Sequence, residues 1–288
     1  MDVIETFLRG KRPDQSQCED AFVLGGHFAA VIDGVTAKTK LRYPAAAPGG
    51  PTRSPGRFAA DVLAAYLGRE DFDGRLQKMA LADLLRELDA RLQKAALEAL
   101  RTDGGASELR LEDWPRACLL LYNDYRHEVW SYGDCQCVVG GAVVSHEKEI
   151  DRINADKRCK VVEGFLAAGG TEDEVRAHDP GRDAIKEALV SQFQYENKRV
   201  PLGYPVLNAL GTDAGLAVTY SVPEGSDLVL ASDGYPDGCL CGTLAESEER
   251  LRGVLERDPL CYKENRQTKG LQAGNESFDD RCYLRLRV

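Results

Sequence analysis

The run Phe28-Ala29-Ala30-Val31-Ile32, which ends abruptly in Asp33-Gly34, constrains this chain more than any other stretch. A short unbroken apolar run reads as a buried strand. A carboxylate at its end is costly to bury unless it is paired or holds a metal. Gly34 allows a sharp turn or a close approach of backbone to a ligand. The strand therefore delivers Asp33, with the next carbonyl beside it, to a site at its tip, or else Asp33 only caps a turn. Leu228-Val229-Leu230-Ala231-Ser232-Asp233-Gly234 repeats the pattern. Glu19-Asp20 precedes the strand-like Ala21–Leu24, and Asp279-Asp280 precedes the strand-like Cys282–Leu286. Four acidic clusters at strand ends predict one shared site, and oxygen-only ligands suit magnesium, manganese or calcium rather than zinc.

Along the chain, strands and helices fall into separate blocks. Strands are expected at Val3–Leu8, Ala21–Leu24 and Phe28–Ile32, the last two joined by the turn Gly25-Gly26-His27. Residues 35–57 read as a loop, because Tyr43-Pro44 through Gly50-Pro51 cannot continue a helix or a ladder. Such a loop either closes over a substrate or is plain surface. Phe58–Leu67 and Leu76–Leu100 carry apolar stripes at helical spacing, and Gly104-Gly105 is expected to end this helical block. Ala117–Tyr122, Glu128–Tyr132 and Cys135–Val139 follow as a meander; links as short as Gly133-Asp134 predict antiparallel neighbours. The polar stretch 147–200 predicts helices at Asp156–Ala168 and Asp183–Tyr195, broken by Asp179-Pro180-Gly181, as a helical insertion within one domain spanning 1–288. Strands Leu216–Val222 and Leu228–Ser232, a helix Leu244–Leu255 and a last strand Cys282–Val288 complete an α+β pattern, in which helices cover the outer faces of two antiparallel sheets.

The formal net charge of −10 argues against nucleic acid as a partner. Neither an apolar leader nor a run long enough for a bilayer is present, so no membrane partner is expected. Nine cysteines, an odd number, suit free thiols in a reducing cytoplasm. Cys135/Cys137 and Cys239/Cys241 are expected to be structural thiols, since Cys-x-Cys is weak evidence for zinc. His27, His127, His146 and His178 lie in turn-like or polar contexts and read as surface residues.

In order, these segments resemble the metal-dependent PP2C (PPM) family of protein serine/threonine phosphatases. Gly10-Lys11-Arg12 and Glu19-Asp20-Ala21 resemble its opening arginine and acidic pair, and Val31-Ile32-Asp33-Gly34 its first Asp-Gly strand. Tyr132-Gly133-Asp134-Cys135-Gln136, Ala209-Leu210-Gly211, Ser232-Asp233-Gly234-Tyr235-Pro236-Asp237 and Asp279-Asp280-Arg281-Cys282 resemble the later motifs, nearly end to end. The resemblance implies a four-layer α/β/β/α sandwich with two Mn2+ or Mg2+ ions between the sheets. Asp33 would bridge both; Glu19 and the Gly34 carbonyl would hold one, Asp233 and Asp279 the other. Asp20 would act through metal-bound water, and Asp134 would assist a third ion. Arg12 would orient the phosphate. Seven residues separate Arg12 from Glu19, a longer loop than the family's, and Val35-Thr36-Ala37 follows Asp33-Gly34 where the family carries histidine and glycine. Cys135 and Cys282 stand where the family has hydroxyl residues.

The expected activity is hydrolysis of phosphate monoesters, foremost phosphoserine and phosphothreonine in proteins, by a water activated at the two-ion site. The alternatives are the same chemistry on a small-molecule phosphate, or an inactive relative that binds phosphorylated partners. Lys38, Lys40 and Arg42 are candidate helpers in the loop that follows.

Overall fold

The computed structural model describes residues 1–102 and 109–288; Gly104 and Gly105 lie outside them. Among the described residues, ten strands form two five-stranded sheets in which every strand pairing is antiparallel. One sheet holds β2 (Asp20–Leu24), β3 (Phe28–Gly34), β4 (Ala117–Asn123), β5 (Glu128–Tyr132) and β8 (Val218–Ser221), in that order. The other runs β1 (Asp2–Arg9), β10 (Arg281–Arg287), β9 (Asp227–Ala231), β6 (Gln136–Val139), β7 (Ala142–Val144).

The lack of alternation in β3 follows from its place. Phe28, Ala30 and Ile32 pack under α1 (Pro55–Leu67) and α3 (Leu81–Thr102), beside the short α2 (Phe72–Leu76). Ala29 and Val31 face the other sheet, against Leu228, Leu230, Leu284 and Leu286. Both faces are dry, so both must be apolar. The far face of the second sheet, with Val229, Ala231 and Tyr283, packs on Leu251 of α8 (Leu244–Arg257). The layers are thus helix, sheet, sheet, helix, as expected. Among the described residues, no helix is long and apolar enough to cross a membrane.

The segment after β7 folds as α4 (Glu149–Ala167), α5 (Glu172–Ala177), α6 (Pro180–Ala184) and α7 (Lys186–Ser191). Cys159 and Val162 of α4 bury against Leu260 and Tyr262, so this segment holds the long loop that follows α8.

Three local expectations are corrected. Gly133-Asp134 is not a hairpin turn: β5 and β6 lie in different sheets, and the link crosses between them. Gly133 makes the crossing with φ +130°, where a Cβ would sit 2.3 Å from Cys118 Cβ. Asp179-Pro180-Gly181 does not only break helices. Asp179 caps α6 by accepting from Arg182 N at 2.9 Å, with Pro180 at the first helical position. The loop 35–57 is no free flap. Tyr43 is fully buried, stacks on Phe58 at 4.1 Å and bridges to Arg53, and Ser54 already caps α1.

Candidate metal and phosphate site

Strand parity sets the site. Asp33 shares the face of Ala29 and Val31 and so points between the sheets. The β2–β3 register puts Asp20 directly opposite it. The crossing link carries Asp134 into the same space, and Asp233 follows β9 from the other sheet. Carboxylate oxygens of Asp33, Asp134 and Asp233 lie within 4.8 Å of one another. They line a cleft of about 690 Å³ that Asp279 also lines.

Unneutralised, this grouping is costly. Burial first, then the charges of Asp20 and Asp134, push the Asp33 carboxyl well above the usual range. Burial, then Asp33 and Asp279, do the same to Asp233. Burial and Asp280 raise Asp20, whose Oδ2 is buried without a hydrogen-bond partner. Asp134 differs. Burial opposes its ionisation, but Lys148 Nζ at 2.5 Å and the Cys118 thiol, donating at 3.0 Å, outweigh burial and lower its pKa. Three converging carboxylates, two of them repelling, over an orphaned acid oxygen, fit a hard divalent cation with oxygen ligands.

The remaining acids form a second group, closed by the chain's own cations. Lys11 Nζ donates to Asp279 at 3.0 Å, Asp280 at 3.2 Å, Thr36 Oγ1 at 3.3 Å and Glu19 at 3.4 Å. Lys269 pairs with the other Asp279 oxygen. Burial resists ionisation of Asp279, but Lys11 and Lys269 hold its pKa well below the usual range. Glu19 Oε1 accepts from Ser54 Oγ at 2.5 Å. Asp280 accepts from the Lys11 and Glu19 amides at 2.7 and 3.0 Å, so it is a strut between β1 and β2, while Asp279 faces the cleft. As the chain stands, one set of acids, with Asp134 alone paired to a lysine, fits a divalent ion, and the other is closed by Lys11 and Lys269.

Gly34 is where β3 touches α1. A Cβ there would lie 2.4 Å from both the Glu19 and Gly56 carbonyl oxygens. Gly34→Ala is expected to cost about 1–3 kcal/mol through overpacking, read as a lower midpoint in urea unfolding; an unchanged midpoint would show that the contact yields freely.

Arg12 lies outside the cleft of the three aspartates. It donates to Gln17 and lines a second hollow of about 220 Å³ with Arg42, Arg53 and Arg57, which Glu19 and Thr36 border. Its extra loop residues carry it outward, while its neighbour Lys11 turns in. Lys11, Lys148, Lys269 and Cys118 were not legible as site residues. Each sits in an ordinary local context, and its partners come from other elements. Of the loop candidates, Lys38 lines the cleft, Arg42 lines the arginine hollow, and Lys40 lines neither. All nine cysteines are buried and free, and both Cys-x-Cys pairs are simply packed.

No protein-family model matches the sequence, and no curated protein matches it. Solved structures do match. The chain is similar to the Mycobacterium tuberculosis serine/threonine phosphatase PstP/Ppp over 99% of each chain, at 16% identity and a TM-score of 0.46. It is similar to RsbX, solved with magnesium, over 98% of this chain and 96% of that one, at 10% identity and a TM-score of 0.43. It is also similar to the PPM Ser-Thr phosphatase MsPP from Mycobacterium smegmatis, solved with cacodylate, over 100% of both chains, at 14% identity and a TM-score of 0.42.

Proposed function

We propose that this chain is a metal-dependent phosphatase that hydrolyses phosphate monoesters, with phosphoserine and phosphothreonine in proteins as its substrate class. The observation that carries the reading is the meeting of Asp33, Asp134 and Asp233, from separate strand ends, in a cleft that also presents lysines and arginines. The order of PP2C-like motifs along the chain supports it.

In this reading Asp33, Asp134 and Asp233 would hold one Mn2+ or Mg2+, whose chemistry, when bound, would be to neutralise phosphoryl charge and acidify a water. Asp20, under Asp33, accepts a proton or a water hydrogen bond with its free oxygen. Lys148 keeps Asp134 ionised and oriented. Glu19, Asp279 and the Gly34 carbonyl would take a second ion only with Lys11 and Lys269 turned away.

The test is hydrolysis of an aryl phosphate by the full chain. Activity is expected to vanish in chelator and return with Mn2+ or Mg2+. Hydrolysis that survives exhaustive chelation would reject the reading. Phosphopeptides assayed beside small metabolite phosphates separate the protein substrate from the metabolite alternative. Metal binding without turnover of any phosphate would revive the inactive, phospho-partner-binding alternative.

A further inference from the structure

The cleft contains cations that the acids do not use. Lys38 Nζ donates to the Thr36 carbonyl at 2.7 Å, and Arg182 Nη1 donates to the Thr268 carbonyl, also at 2.7 Å. Among the described residues, neither has a carboxylate within ion-pair distance, and both line the cleft. The third cation, Lys269, adjoins Thr268 and reaches Thr36 Oγ1 at 3.4 Å while pairing with Asp279. The three come from three separate segments: the loop after β3, the start of α6 and the loop after α8. Asp151 is a nearby acid, but it accepts from Gln192 at 3.2 Å and lies 4.0 Å from Lys148. Burial, then Arg182 and Lys269, push the Lys38 ammonium well below its ordinary pKa. In a chain of net charge −10, three cations gathered round one carboxylate, two of them without an ion-pair partner among the described residues, are expensive.

We infer that Lys38, Arg182 and Lys269, gathered round Thr36 and Thr268, form the seat for the phosphoryl oxyanion, the role expected of Arg12. A tetrahedral dianion supplies the missing negative charge, and its oxygens match donors arriving from several directions. Thr36 lies two residues beyond Gly34, so the seat borders the carboxylates. The inference deepens the phosphatase reading and rests on it for the identity of the anion.

The test is calorimetric titration of inorganic phosphate into the full chain, with and without Mg2+, alongside KM and kcat for an aryl phosphate. Arg182→Gln and Lys38→Met are each expected to weaken phosphate binding about tenfold or more, the usual loss for a charge-assisted contact. KM should rise in parallel and kcat should fall less. Arg182→Lys should keep part of the affinity, and Arg12→Gln should barely change it. Lys38→Met, in a loop and outside any helix, carries the test if Arg182→Gln does not fold. Wild-type protein that ignores phosphate would overturn the seat. So would variants with unchanged affinity, or a loss confined to Arg12→Gln. Normal turnover with unaltered phosphate affinity in the Lys38 and Arg182 variants rejects the seat and leaves the phosphatase standing. Phosphate binding that these variants lose, with no hydrolysis by any form, does the reverse.

Discussion

Asp33→Asn is expected to abolish phosphatase activity, by on the order of 10³-fold or more. A lost metal clamp is worth several kcal/mol, and each 1.36 kcal/mol is tenfold in rate. The same change should stabilise the metal-free protein, which a merely structural Asp33 would not allow. The Asp33 carboxyl is raised above its ordinary 3.8 by burial, Asp20 and Asp134. Below about pH 3.8 it is protonated in both folded and unfolded chains and matches asparagine. As pH rises through the raised folded value, the wild type must ionise against its neighbours and loses stability, while the variant does not. The variant's advantage in Tm should therefore be absent below about pH 3.8 and grow as pH rises above it until the folded carboxyl has ionised, at roughly 2–4 °C per kcal/mol. Calorimetry in chelator measures it. A difference that stays flat, or favours the wild type at high pH, would show that the acids do not repel as placed. Added Mg2+ should reverse the order, because only the wild type keeps the full ligand set.

Arg158→Met is expected to be the most destabilising single change outside the acids. Arg158 is fully buried in α4. Its Nε donates to Asp179 at 2.7 Å, and its remaining nitrogens to the carbonyls of Leu260, Cys261 and Gln267 at 2.8–3.0 Å. Methionine fills the volume but strands Asp179 and three carbonyls, at a cost of about 3–5 kcal/mol, or on the order of 10 °C in Tm. The function should suffer as well. Arg158 ties together α4, the cap of α6 and the loop that carries Lys269, so it sets the distance between Arg182 and Lys269. Phosphate affinity should fall even at temperatures where the variant is folded. A Tm within about 2 °C of wild type would show that water replaces the guanidinium without loss.

What could be read in advance was whatever burial writes into local pattern. The β3 run is apolar throughout because Ala29, Ala30, Val31 and Ile32 are all fully buried between two packed faces. The α3 stripe is legible for the same reason: Leu84, Leu85, Leu88, Leu92 and Ala96 share the covered face. A carboxylate after each of two such strands marked the cleft, because the cost of burying it asks for a partner. The Gly133-Asp134 link was misread because its length does not say whether the chain pairs back or changes sheet; Cys118, packed against Gly133, belongs to another strand.

By itself, the sequence determined the two buried strands with Asp33 and Asp233 at their tips, the amphipathic helices, and the separation of strand and helix blocks. Only the tertiary structure decided that Lys11 rather than Arg12 turns inward, that Asp279 faces the cleft while Asp280 braces β1, and that Lys38 and Arg182 gather beside Lys269 without carboxylates of their own among the described residues. The reason is physical. Apolar burial is favourable residue by residue, according to which face of an element is covered, and so leaves a periodic trace. Coulomb energy depends on distance in space and dielectric, and is blind to separation along the chain.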